Sequence, residues 1–311
     1  MDTLESLRRK LEGAGKIKTV FSTMKEVAAS KIGQYESAES SLGDYFRTVE
    51  LGILAYFKEE KITKGREHKP IKKTEERTVC AIVLGSDQGL VGQFNDTLAE
   101  FVTGSLKEMQ GNKVVWAVGE RVHYLLVDDG YTVQHLFAVP QSVKAITPLV
   151  AQLLQQSETM LEKALDTEIY IYHNQPKPGA GYTPTIQRLL PLDETWRDSI
   201  TKLHWPSGNL PEVIGGKKET LAALIREYLF VSLFKALAES LMSENASRLA
   251  AMQRAEKNID ELLDDLHHKF HSLRQSLIDE ELFDVVSGFE ALKNEVKKKG
   301  KEESDDKETK F

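Results

Sequence analysis

Cysteine is almost absent: Cys80 is the single example, so the chain can form neither an internal disulfide nor a cage of thiolate metal ligands. It sits in the apolar stretch 79–84 and reads as a small buried hydrophobe. Long hydrophobic runs are missing too, and none approaches the ~20 residues needed to cross a bilayer. The first sixteen residues alternate leucines with charges, lack a secretory apolar core, and carry Asp2, Glu5 and Glu12, whereas transit peptides are poor in acids. This segment reads as the mature start of a cytoplasmic protein, bacterial or archaeal. The net charge of -7 gives no basis for a general affinity for nucleic acid or anionic lipid. What the chain does have is charge of both signs, 29% of its 311 residues. That is high for a compact enzyme and ordinary for long helices exposed on several sides.

Glycine and proline are missing from 217–287. Within this stretch apolar residues recur at three- and four-residue steps: Leu221, Leu224, Tyr228, Val231, then Leu249, Met252, Ile259, Leu262, Leu266, Phe270, Leu273 and Leu277. This is the seam of a supercoiled helix. At ~1.5 Å per residue it would reach roughly 100 Å, and a helix that long needs a partner along its length. The amino-terminal segment offers one, with Leu4, Leu7, Leu11, Ala14, Ile17, Phe21, Met24, Ala28, Ile32, Tyr35, Ala38, Leu42, Tyr45 and Val49 in the same rhythm. Gly13, Gly15, Gly33, Gly43 and Gly52 interrupt it, each costing up to ~1 kcal/mol against Ala, and close approach of two helices would offset that cost. Because the stripes lie at opposite ends of the sequence, an antiparallel pair is expected, with everything between them inserted at one end.

The middle has another texture. A charged linker at 58–77 leads to strand-like runs at 78–84, 114–118, 131–137, 168–172 and 183–190. Helical stretches at 95–109, 120–127 and 145–165 separate them. Such alternation predicts a sheet with helices on its faces. The Pro- and Gly-containing segment 205–216 reads as a loop back to the long helix. The expected fold class is therefore α/β: a long antiparallel coiled coil of the terminal helices with an inserted Rossmann-like α/β domain. Its segments are 1–57 (first helix), 58–77 (linker), 78–216 (α/β domain), 217–291 (second helix) and 292–311 (a charged, disordered tail).

Four features could carry chemistry. The loop 85–95 follows a strand and precedes a helix, where doubly wound folds hold phosphates. Gly85, Gly89 and Gly92 do not match G-x-G-x-x-G, no Lys-Ser/Thr pair is present, and Asp87 would repel a phosphate, so a structural turn or contact loop is the competing reading. His267, His268 and His271 form H-H-x-x-H, with His267 and His271 on one helix face, but no Glu between them and no third ligand, which favours a solvated face. The carboxylates Asp260, Glu261, Asp264, Asp265, Asp279, Glu280, Glu281 and Asp284 lie where a two-helix coil offers no concave, water-excluding site. The basic run 61–73 lacks interleaved aromatics and reads as a solvated connection.

Three stretches resemble the γ subunit of F-type ATP synthases. TMKEVAASK (23–31) resembles the family's M-x-x-V-A-A-S-K helix. SDQGLVGQFN (86–95) is similar to its S-D-x-G-L-x-G-x-x-N loop. AESLMSENASR (238–248), continuing through Met252, resembles its S-E-x-A-x-R-x-x-A-M run, and Arg274-Gln275 with Glu281, Asp284 and 285–288 its carboxy-terminal signature. The motifs fall in family order, and the resemblance covers about 1–291. It implies a non-catalytic central-stalk rotor without cofactor or metal. One copy would stand inside a ring of three α and three β subunits, whose catalytic sites lie on β. Its lower part would join the ε subunit and the membrane c-ring, on the cytoplasmic side of the bacterial inner membrane and peripheral to it. By the same resemblance Met24, Lys25, Ala28, Ser30 and Lys31, with Arg274, Gln275, Glu281 and Asp284, would face β. Ser86, Asp87, Gly89, Gly92 and Asn95 form the family loop, and Glu244, Arg248 and Met252 the family helix motif. Asp279 and Phe289, where the family has Thr and Ala, and Gln93, where Gly is common, depart from the pattern. These departures point to the divergent γ of an alternative, sodium-associated F-type ATPase. The readings set against a rotor are a coiled-coil scaffold without a motor and a nucleotide-dependent enzyme of the middle domain.

Overall fold

A computed structural model describes residues 3–63, 77–163, 166–177, 181–209 and 216–308. Helix α1 spans Leu4–Thr63 and α6 spans Lys217–Glu308. Between them lie β1 (Thr78–Leu84), α2 (Phe94–Glu108), β2 (Asn112–Val118), α3 (Glu120–Asp128), β3 (Val133–Phe137), α4 (Val143–Lys163), β4 (Thr167–Lys177), β5 (Gly181–Leu190) and α5 (Glu194–Thr201). The chain divides into two compact units, one of residues 1–23 with 254–311, the other of residues 24–253.

In the unit of 24–253 the sheet order is β3-β2-β1-β4-β5, with the first four strands parallel and β5 antiparallel to β4. β1 is central and buried on both faces, which explains its uninterrupted apolar sequence. One face carries Cys80, Ile82 and Leu84 against Ile146, Val150 and Leu153 of α4 and Leu233, Leu237 and Leu241 of α6, with Tyr35 of α1 in the same cluster. The other carries Val79, Ala81 and Val83 against Leu98, Val102 and Leu106 of α2 and Val122 and Leu126 of α3. Burial pushes the Cys80 thiol well above its ordinary pKa, in keeping with an inert core residue.

In this unit α1 and α6 run antiparallel. Tyr45 donates to Glu227 at 2.7 Å and Lys235 pairs with Glu39 at 3.7 Å, so numbers fall on one helix as they rise on the other. A third cluster gathers Val49, Ile53, Leu54, Phe57, Ile200 and Tyr228, with Trp196 set edge-on to Phe57 and Tyr228. In the unit of 1–23 and 254–311 the two helices meet again, with Lys18 Nζ 2.6 Å from Asp260 Oδ1 and Leu7, Ala14, Ile259 and Leu266 buried.

Four expectations change. Ile17, Tyr45, Leu262 and Leu277, placed on the seam by their spacing, are exposed, because a 3.6-residue helix drifts off a 3.5-residue seam and a single partner covers a narrow stripe. Among the glycines of α1, Gly52 alone faces its partner closely, a Cβ there meeting Leu224 at 3.0 Å; positions 13, 15, 33 and 43 have open space, so close approach does not explain them. Helix α1 runs on to Thr63, into the stretch expected as linker. At the other end α6 continues to Glu308 where a disordered tail was expected, in a stretch built mostly of Lys and Glu, both good helix formers; residues 309–311 lie outside the described ones.

Candidate functional site: the crevice at the strand ends

In an open α/β sheet of this order, ligands sit outside the carboxyl ends of the strands where the order reverses, here between β1 and β4. In this chain that crevice is occupied by α6. Ser240 donates its hydroxyl to the carbonyl of Leu84 at the end of β1, at 3.1 Å, and Ser243 donates to the carbonyl of Asn174 in β4, at 2.8 Å. Ser247 donates to the carbonyl of Val91 in the loop. Asn174 in turn donates to the carbonyl of Phe94, the first residue of α2, at 3.0 Å. Beside them His173 Nε2 and Glu239 Oε2 are 2.8 Å apart, both buried. Carbonyls at the strand ends and in the loop are thus engaged by a helix of the same chain, which takes up the crevice.

The loop 86–95 is built around two side chains. Ser86, fully buried, donates its backbone N–H to Asn95 Oδ1 at 2.9 Å, and Asn95 Nδ2 donates back to Ser86 Oγ at 2.9 Å. The Ser86 hydroxyl donates to the carbonyl of Gln88, closing the turn. Asp87 accepts the backbone N–H of Glu120 at 3.1 Å, placing its charge at the start of α3, and that of Val139 at 2.9 Å. Gly92 has φ of 59° and Leu90 a φ of 62°, an uncommon conformation for a leucine. At Gly85 a Cβ would come within 2.4 Å of Val122, so the absence of a side chain there lets α3 pack against the strand end. Gly89 lies beside Arg121, which a Cβ would meet at 3.3 Å.

Above the loop, Glu244 and Arg248 form a buried pair on α6 at 2.6 Å, and Arg248 also donates to Asn245 Oδ1 at 3.2 Å. Burial raises the Glu244 carboxyl above its ordinary pKa, a push that Arg248 and, more weakly, Lys31 oppose and Asp87 reinforces. Glu244, Arg248, Asp87, Gln88, Lys31 and Tyr35 line one small polar cleft with room for about a single water, about 20 Å³. The unit of 24–253 therefore brings together the family loop, the α6 motif and Lys31. Ala28 and Met252 are buried, Met24 and Lys25 partly so, and Ser30 is exposed. Arg274, Gln275, Glu281 and Asp284 belong to the other unit, all exposed on α6. His267 and His271 stack with ring centroids 6.4 Å apart. Among the described residues no three His, Cys, Asp or Glu side chains gather as a metal site.

The family model for ATP synthase matches residues 3–292. The chain belongs to the ATP synthase γ-chain family. It is 26% identical to the ATP synthase gamma chain of Syntrophus aciditrophicus, with 94% of this chain and 99% of that one covered. It is 25% identical to that of a Sulfurihydrogenibium species, over 92% and 97%. Its fold is similar to a chain of the Euglena gracilis mitochondrial ATP synthase rotor, with a TM-score of 0.61, 16% identity and coverage of 88% of this chain and 98% of that one. It is also similar to one of the Tetrahymena thermophila mitochondrial ATP synthase central stalk and c-ring, with a TM-score of 0.57, 21% identity and coverage of 76% and 99%. Seen from this γ chain, the serines of α6 were the part that sequence reasoning missed. Small polar residues at helical spacing look like a solvent face until the acceptors are known.

Proposed function

We propose that this γ chain, the non-catalytic central-stalk rotor of an F-type ATPase, couples ion flow through a membrane c-ring to ATP synthesis or hydrolysis on partner β subunits. The observation that carries the reading is the crevice of the α/β segment. A helix of the chain's own fills the place where an enzyme of this sheet order would hold its nucleotide. In the rotor reading, one copy stands inside a ring of three α and three β subunits and engages an ε subunit and the c-ring. Among the described residues no helix is long and apolar enough to cross a membrane, consistent with a peripheral place on the complex, which we assign to the cytoplasmic side of a bacterial inner membrane.

The unit of 1–23 and 254–311 supports a partner surface. Ile278, Leu282, Val285, Val286 and Phe289 recur along α6 at three-, four- and one-residue steps and are exposed, with Phe283 beside them 75% exposed. A stripe of that kind on a helix favours burial against other chains. Met24, Lys25, Ala28, Ser30 and Lys31, with Arg274, Gln275, Glu281 and Asp284, are the residues we assign to contact with β. A rotor must meet three equivalent partners differently as it turns, so its contacts bias each β between conformations and must be individually weak to break at each step.

Native mass spectrometry of the chain co-expressed with the α and β subunits of its own source tests the reading. One copy in a complex with three α and three β is expected. A stable chain that ignores them would overturn the rotor and favour a scaffold without a motor.

A further inference from the structure

Apolar packing alone would hold α6 against the sheet, yet three hydroxyls reinforce it at one spot. Ser240, Ser243 and Ser247 are spaced three and four residues apart on one side of α6, and all are buried. Their acceptors lie on three different segments: the end of β1, β4, and the loop between β1 and α2. The loop carbonyl they grip is that of Val91, which lies between the two positive-φ residues Leu90 and Gly92. The same loop reaches onward, because Ser86 O accepts the N–H of Arg121 in α3 at 3.0 Å and Asp87 binds the start of α3 and Val139. A continuous run of hydrogen bonds thus leads from α6 through the loop to the far side of the sheet.

Hydrophobic contact is non-directional and yields to sliding along a helix axis, whereas a hydrogen bond weakens steeply once its angle is lost. Three directed bonds to three separate segments resist both sliding and rotation. We propose that Ser240, Ser243 and Ser247 are positioning residues that lock α6 to the α/β segment as a joint carrying torque between the two. This rests on the rotor reading, and the lock itself is a property of the chain alone. Ser247 is its decisive member, since it alone holds the loop.

The test uses the full complex in membrane vesicles, with Ser247→Ala, the triple Ser→Ala variant, and Ser247→Thr, which keeps the hydroxyl. Two quantities are read: amide hydrogen exchange across 86–95, and ions translocated per ATP hydrolysed. Ser247→Ala is expected to speed exchange in the loop roughly tenfold and to lower ions per ATP while hydrolysis persists. The triple variant should do more, and Ser247→Thr should restore both. Unchanged loop exchange would overturn the lock. Faster exchange with an unchanged ratio of ions to ATP would reduce the serines to ordinary structure and overturn their torque role. Failure of the wild-type chain to enter a complex with α and β would defeat the rotor reading itself and the torque role with it, and is seen before any variant is made.

Discussion

In residues 24–253, α6 is held by buried, directed bonds, the three serines and His173 with Glu239, and it carries the buried pair Arg248–Glu244 along its own length. In the unit of 1–23 and 254–311 the two helices show a few buried apolar residues and ion pairs such as Arg9–Glu5 and Lys16–Glu12 along α1 and Lys269–Asp265 along α6, all on the surface. Breaking a buried charge pair leaves an uncompensated charge out of water, whereas a surface pair contributes little and is screened by salt. The difference teaches how one helix can serve two purposes. Its position is fixed where it meets its own sheet, and its surface is left exposed where the proposed rotor would meet other chains.

The sharpest way to break that comparison is at Glu244. Replacing it with Ala strands Arg248 as a buried cation and should destabilise the unit of 24–253 by about 3–5 kcal/mol. All three tryptophans, Trp116, Trp196 and Trp205, lie in that unit, so urea unfolding followed by tryptophan fluorescence reports it. A shift no larger than that of a surface mutant would refute the buried pair. Glu244→Gln sharpens the point through pH. Burial raises the folded pKa of this carboxyl, so the fold binds its proton more tightly than the unfolded chain does. The stability it contributes is fully present below the unfolded pKa and is lost as pH climbs from there through the folded value. The wild type should therefore lose stability relative to Glu244→Gln as pH rises through that window. A difference that stays flat across it would count against a carboxyl whose pKa is raised by burial.

Next in size is a pair of truncations, one in each unit. Leu237→Ala removes a side chain packed between α6 and the sheet and should cost about 2–5 kcal/mol, read as an earlier tryptophan transition. Leu266→Ala opens the seam of a two-helix coil that can relax around the gap, so its cost should sit near or below about 2 kcal/mol. That loss should appear in helical circular dichroism and leave the tryptophan transition in place. Equal shifts of both signals by both variants would mean that the two units unfold as one, and the comparison would fail.

Much of this architecture was legible in the residues. The uninterrupted apolar runs of β1 and β2 reflect burial on both faces, and the absence of Gly and Pro from 217–287 reflects one continuous helix. Helix α5 was overlooked, although Asp193 caps it by accepting the N–H of Trp196 at 2.9 Å, a signal present in the sequence. The seam exposed at Ile17 and Leu277 was not legible, because periodicity states which face is apolar and not how wide a partner covers it. The loop could be recognised as a turn before a helix. The tasks of Asp87 and Ser247 could not, since their acceptors and donors, Glu120, Val139 and Val91, are set by the fold and lie far along the chain.

The smallest effect on stability is expected at Arg274 and Gln275, and it is the most informative about function. Both are exposed, so replacing them with Ala removes no buried contact and should leave the tryptophan transition and the helical signal where they are. If the outer surface of α6 works through contacts that form and break in turn, each worth ~0–1 kcal/mol, the double variant should still lower ions translocated per ATP, roughly two- to fivefold. Loss of coupling without loss of fold would separate the two regions by role as well as by energetics. An unchanged ratio would remove these two residues from the coupling surface, and a shifted unfolding transition would show that they support the coil instead.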